Sequence, residues 1–320
     1  MELLNKHEIQ THNTVLSKFV KKAKKVILRD YQLFLLCLPA IIYCIIFEYG
    51  PMYGIQIAFK DFSAAKGIME SPWVGFKHFD RFFQSYQFWL LIRNTIGISL
   101  YALIAGFPIP IFVALLLNQT RNLAFKKIVQ TTTYAPHFIS VVVLCGMITI
   151  FLSPRSGLVN HLIAALGGER VFFLADPRLF SSLFVWSDIW QNTGWGTIIY
   201  TAALSAINPE LYEAARIDGA NKLKTIIHVD IPGILPTVVI LFILKMGSLM
   251  NLGFQKAYLL QNPLNAGASE IIATYVYKIG LEQSQFSYST AISLFNTAIN
   301  IIMLVAVNAL CKKVSETSLW

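Results

Sequence analysis

Charge is scarce in this sequence. Asp, Glu, Lys and Arg make up 13% of its 320 residues, while 55% are hydrophobic. A soluble domain of this size cannot bury so much apolar side chain, so lipid is the expected solvent for much of the chain. Cysteine is sparse as well: the four residues, at 37, 44, 145 and 311, lie in or at the edge of apolar runs. Their spacing argues against a zinc site or a disulfide framework. The phosphate-loop pattern G-x-x-x-x-G-K-[ST] is missing, so no ATP site of that kind is expected in the chain. H-E-x-x-H, a nucleophile elbow and a credible carboxylate pair are missing too, which leaves no catalytic or metal-ligating residue and argues against an enzyme. The formal charge of +9 is read as Lys and Arg anchoring membrane topology, with no nucleic-acid partner.

What the chain does have is apolar runs. They lie at about 32–58, 94–118, 129–152, 179–207, 233–254 and 286–310, each long enough to cross the ~30 Å hydrocarbon layer. The expected fold class is therefore an all-α integral membrane protein with six transmembrane helices. The uncharged stretch Tyr31 to Phe47 follows a long basic tail without a cleavage-site pattern, so it is kept as the first span. Basic residues cluster before that span and recur at 119–128, 208–232 and after 310, which places both termini in the cytoplasm. The division that follows is a basic tail at 1–30, a six-span domain at 31–311 with an elbow at 208–232, and a tail at 312–320. The outer segment 59–93 is rich in aromatics, including Trp73, Phe76 and Trp89, and should lie partly along the interface. Pro108, Pro110 and Pro136 fall inside the second and third runs, where each removes a backbone hydrogen bond and kinks or interrupts the helix. Asp188 and Lys245 put charges inside the fourth and fifth runs and should face protein, water or the interface.

The stretch ELYEAARIDGANKLKTIIHVDIPGILP, at 210–236, interrupts this pattern. Asn208 suits an N-cap, Pro209 the first turn and Glu210 the positive helix end. Gly219 should end the helix or bend it, and a second piece at about 221–230 should lead through Ile231 and Pro232 into the fifth span. Leu211, Ala214, Ala215 and Asp218 share one side of the first piece, flat enough for close approach by a partner. A linker helix resting on the lipid surface is the competing reading, but such helices usually present bulkier side chains.

EAARIDGA at 213–220 followed by VDIP at 229–232 resembles the EAA loop of permease subunits from binding-protein-dependent ABC importers. Glu213, Ala214, Ala215, Gly219 and Pro232 match that pattern, while Val229 and Ile231 stand where Ile and Leu are usual. LPAIIYCIIFEYGPMYGIQIAFKDF at 38–62, SPWVGFKHFDRFF at 71–83, NTIGIS at 94–99 and TTTYAPHFIS at 131–140 resemble the sugar-importing branch that handles polysaccharide-derived oligosaccharides, such as alginate or pectin fragments. The resemblance implies a maltose-transporter-like type I importer fold with a cytoplasmic coupling helix. It implies as partners a second homologous permease, two ATP-binding cassette subunits that hold ATP and Mg, an extracytoplasmic solute-binding protein, an oligosaccharide and the bacterial cytoplasmic (inner) membrane. It also implies that Glu213, Ala214, Ala215, Arg216, Asp218 and Gly219 couple to the ATPase subunits.

For the sugar path, Trp186, Asp188, Gln191 and Asn192 on the fourth run supply a stacking surface and hydrogen-bonding groups, with Trp190 and Trp195 nearby. Asn251, Asn296 and Asn300 follow, with Gln255, although polar residues in spans often serve only to join helices. Lys245 can snorkel or attract an acidic sugar. Two other classes stay open on residues alone: an ion-coupled carrier using Asp188, and a structural or signalling membrane subunit.

Overall fold

A computed structural model describes residues 29–315 and 317–320, so most of the expected basic tail lies outside the described residues. The chain divides into two compact units with the boundary between Gln56 and Ile57. The first contains most of α1 (Tyr31–Phe59), a helix that passes through a π turn at Cys44–Tyr49 and ends in a 3-10 stretch. Everything below concerns the second unit.

Three more helices have the length and apolarity of a span: α2 (Phe88–Asn118), α7 (Lys222–Gly247) and α8, which begins at Phe286 and runs to Ser315. The third run forms a pair, α3 (Leu123–Phe138) and α4 (Val141–Phe151), bent by 98°. Pro136 sits in the 3-10 turn Ala135–Phe138 that ends α3, and Ile139 is extended, so the interruption expected at this proline is present. Pro108 and Pro110 behave otherwise: Pro108 opens the second half of α2, and α2 still counts as one 31-residue helix.

Length and composition thus support up to five spans. The fourth run forms α5 (Pro177–Ser205), whose 29 residues reach about 43 Å. Its polar residues dilute its hydropathy, so α5 has the length of a span without the composition. The fifth run needs a correction. Helix α7 stops at Gly247, residues 251–253 are irregular, and Phe254–Leu260 starts a separate short helix against α4.

Helix α5 packs along the second half of α2, and α7 along α8. One core cluster joins Phe82, Leu91, Met250, Tyr275 and Ile292. A second joins Ile98, Cys145, Phe184, Val185 and Ile271. A third, beside the elbow, joins Ala114, Leu115, Tyr200, Leu204 and Ile234. Contact between α5 and α3 is close enough that a Cβ on Gly194 would meet the Thr133 carbonyl oxygen at 2.0 Å. Glycine is required there by space alone.

Candidate functional site

The bend between α3 and α4 frees backbone groups that lipid could not satisfy. The buried Gln191 side chain on α5 donates to the Ile139 carbonyl at 2.7 Å, and Ser140 Oγ accepts from Val143 N to cap α4. The bend is thereby held open beside a cavity of about 800 Å³, whose polar lining includes His137, Asp188, Gln191, Asn192, Lys245, Asn251, Gln255 and Lys256. A second cavity of about 270 Å³, between α2, α5 and α7, shares Ala102, Asp188, Asn192 and Lys245 with it.

Charge in this space is partly matched. Lys256 is 4% exposed; its ammonium donates to the Phe184 carbonyl at 2.9 Å, lies 4.8 Å from the Phe184 ring centre and 3.7 Å from Asp188 Oδ1. Asp188 also accepts from Asn192 Nδ2 at 3.1 Å, and Asn192 Oδ1 lies 3.0 Å from His137 Nδ1. The His137 ring stacks on Trp195 with centroids 4.5 Å apart. Lys245 is exposed, lines both cavities and has no hydrogen-bond or ion-pair partner among the described residues. The pair Asp188–Lys256 is internally balanced, and Lys245 is left as a cation facing open space.

The sequence-selected residues divide into two groups here. Asp188, Gln191, Asn192 and Asn251 line the larger cavity. Trp186 is half exposed on α5 and donates its indole N–H to the Tyr101 hydroxyl at 2.8 Å. Asn296 and Asn300 are not in the lining of either cavity: both donate to Asn251 Oδ1 at 3.1 Å, and Asn300 Oδ1 accepts from Met250 N. Their amides tie the chain after α7 to α8, the helix-joining role open to polar residues in spans.

The elbow is built from local signals. Helix α6 (Pro209–Ile217) is capped by Asn208, whose Oδ1 accepts from Glu210 N at 3.0 Å. It ends with Gly219 at φ +69, Gly219 N bonding Arg216 O and Ala220 N bonding Ala215 O, the paired bonds of a Schellman turn. Asn221 then caps α7 by accepting from Lys224 N. Instead of stopping before Pro232, α7 runs through a π turn at Ile226–Asp230 into the span. Glu213, Ala214, Arg216, Asp218 and Gly219 are exposed with Leu211 and Ile217, whereas Ala215 and Tyr212 turn partly towards the protein. The exposed apolar stripe is thus Leu211, Ala214 and Ile217. Tyr212 donates to Asp230 at 2.7 Å; burial and that carboxylate push its phenol pKa up to about 12.

A bent span beside a polar cavity is thus joined in one chain to a capped helix whose exposed apolar stripe is Leu211, Ala214 and Ile217. Residues 106–316 match the description "binding-protein-dependent transport system inner membrane component". The chain belongs to that family. It is a membrane permease component of an ABC transporter and not itself an enzyme. Among its relatives, a polygalacturonan/rhamnogalacturonan transport system permease protein of Bacillus subtilis (strain 168) is 44% identical over 303 residues, 94% of each chain. Protein LplB of the same organism is 41% identical over 292 residues, 91% of this permease and 92% of that protein. A crystal structure of a bacterial alginate ABC transporter, in complex with an alginate pentasaccharide-bound periplasmic protein, contains a chain of the same fold. It matches at a TM-score of 0.85 and 37% identity, covering 92% of this permease and 99% of that chain.

Sequence reasoning overlooked Lys256, His137, Tyr212 and Asp230. Lys256 was assigned to an outer segment because the fifth run was carried to 254. His137 belongs to no ligand or catalytic spacing in the sequence. Asp230, a carboxylate directly before Ile231 and Pro232 at the mouth of a span, was the available signal for the last pair.

Proposed function

We propose that this permease forms half of the pathway by which an acidic, polysaccharide-derived oligosaccharide is imported across the bacterial cytoplasmic membrane. A second homologous permease completes the pathway, and an extracytoplasmic solute-binding protein delivers the sugar. Of two ATP-binding subunits holding ATP and Mg, one docks on α6 through Glu213, Ala214, Ala215, Arg216, Asp218 and Gly219, and the other serves the second permease. The chain crosses the membrane six times with both termini in the cytoplasm, and α5 is the most polar of the crossings because it faces the pathway.

The observation that carries the choice of an acidic sugar is Lys245. An ammonium without a described partner, in a cavity whose other close charges are paired, gains from a carboxylate and nothing comparable from a neutral hydroxyl. The relatives named for polygalacturonan/rhamnogalacturonan transport and for alginate agree with uronic-acid sugars. The Asn192 and Gln255 amides and His137 supply hydrogen bonding along the same wall.

The test is import by the reconstituted assembly, comparing a galacturonate oligomer with a neutral oligomer of equal length. A charge-assisted hydrogen bond contributes roughly 1.5–3 kcal/mol, so Lys245→Met should raise the apparent KM for the acidic sugar by about 10-fold or more. Wild-type protein that imports only the neutral oligomer would sink the substrate assignment.

A further inference from the structure

Asp230 is completely buried, yet no cation pairs with it among the described residues. Its carboxylate is held by three neutral donors: the Tyr212 hydroxyl at 2.7 Å and the Asn118 amide at 3.1 Å, both on Oδ1, and the Gln119 amide at 2.8 Å on Oδ2. The Asn118 amide also lies 3.3 Å from the Tyr212 hydroxyl. A carboxylate is the side chain that accepts several such bonds at once while offering no competing donor, so one Asp satisfies all three groups.

Those donors come from separate elements. Tyr212 lies on α6, Asn118 ends α2, and Gln119 follows it; Asp230 itself closes the π turn in α7. Helix α6 is otherwise turned outward, its remaining side-chain hydrogen bonds being local ones at its Asn208 cap. Tyr212 is therefore its polar tether to the membrane helices. A π turn gives α7 a local departure from regular α-helical bonding at the residue where the tether ends.

We propose that Asp230 is a positioning residue for energy coupling, a pivot that makes α6 move as one piece with the inner ends of α2 and α7. A displacement applied to α6 then reaches both helices through the same carboxylate. Removing the carboxylate takes from three partly buried donors the one acceptor they share and leaves only the longer Asn118–Tyr212 contact, so the tie of α6 to α2 and α7 is loosened at a single point. The proposal rests on α6 being the surface that meets the ATPase subunits.

The experiment uses the complete transporter in liposomes, with sugar imported per ATP hydrolysed as its readout. Asp230→Ala should lower that ratio by about 5-fold or more while the ATPase subunits still co-purify. Asp230→Asn should stay within about 2-fold of wild type, because Gln119 can turn its amide to meet the new donor. Tyr212→Phe deletes one hydroxyl and leaves no large cavity, and should lower the ratio by about 3-fold. If Asp230→Ala does not assemble, Tyr212→Phe decides. A wild-type ratio in either assembled variant overturns the pivot, as does Asp230→Asn falling as far as Asp230→Ala. Ile217→Cys, at an exposed position, separates this from the underlying assignment. Its failure to cross-link to an ATPase subunit in the otherwise unaltered transporter removes α6 as the docking helix, whereas a cross-link combined with an unchanged ratio in Asp230→Ala removes only the pivot.

Discussion

Two departures from regular helix stand in contrast. At Ile139 the chain turns by 98° between α3 and α4, and the polar groups around the bend look into a cavity. At Ile226–Asp230 the helix continues through a π turn, and its carboxylate is closed off by three donors from neighbouring elements. At the first, Lys245 faces the cavity without a partner among the described residues; at the second, the carboxylate is taken up by its donors. The difference is one of availability: a cation at an open cavity can still take a partner, whereas a buried carboxylate that already holds its donors can only lose them, at a cost.

The largest way to break this contrast is at Gly194. A methyl there would lie 2.0 Å from the Thr133 carbonyl oxygen and 2.8 Å from Tyr134 N, both backbone atoms that cannot rotate away. Gly194→Ala should force α5 from α3, disturb the Gln191–Ile139 bond three residues earlier on α5, and cost about 3 kcal/mol. Thermal unfolding of the detergent-solubilised transporter checks this. An unchanged midpoint would mean that α5 and α3 do not approach so closely.

A smaller effect is expected at Lys256. Its ammonium connects the Phe184 carbonyl to Asp188, and Lys256→Met leaves Asp188 with the Asn192 amide. Breaking a buried ion pair can cost more, but the Asp188 side chain is 48% exposed, so solvent offsets the loss and about 1–2 kcal/mol is expected. Adding Asp188→Asn should recover part of that loss in a double-mutant cycle. Additive losses would show that the two side chains do not sense each other.

The same contrast explains what was legible in the sequence. Asn208, Pro209, Gly219 and Asn221 act on backbone within a few residues, so the elbow could be read almost to its caps. The cavity could not: His137, Asp188, Lys245 and Lys256 come from four stretches, and no periodic pattern connects them. Asp188 and Asn192 stand out together in sequence because they share α5. Lys256 was missed because hydropathy carried the fifth run past Gly247, where the helix ends. Asn296 and Asn300 look no different in sequence from lining residues; their bonds to Asn251, more than forty positions away, are not visible there.

The smallest effect is expected from the substitution made at Gly194 when it is repeated at Gly219. Here a Cβ would have nothing within 4 Å, so packing does not oppose it. The only penalty is the backbone angle, φ +69, which brings an L side chain towards its own carbonyl at a cost of about 1 kcal/mol. Gly219→Ala should therefore fray the turn that closes α6, seen as faster hydrogen exchange at the amides of Gly219's neighbours Asp218 and Ala220, with little change in the global unfolding midpoint. Gly219→Asn should cost less than Ala, because Asn tolerates the left-handed region. If Ala at 219 instead destabilised the whole protein as much as Ala at 194, the end of α6 would be packed against something when the transporter is assembled. The outward-facing side of the elbow would then extend past Ile217 to the turn itself.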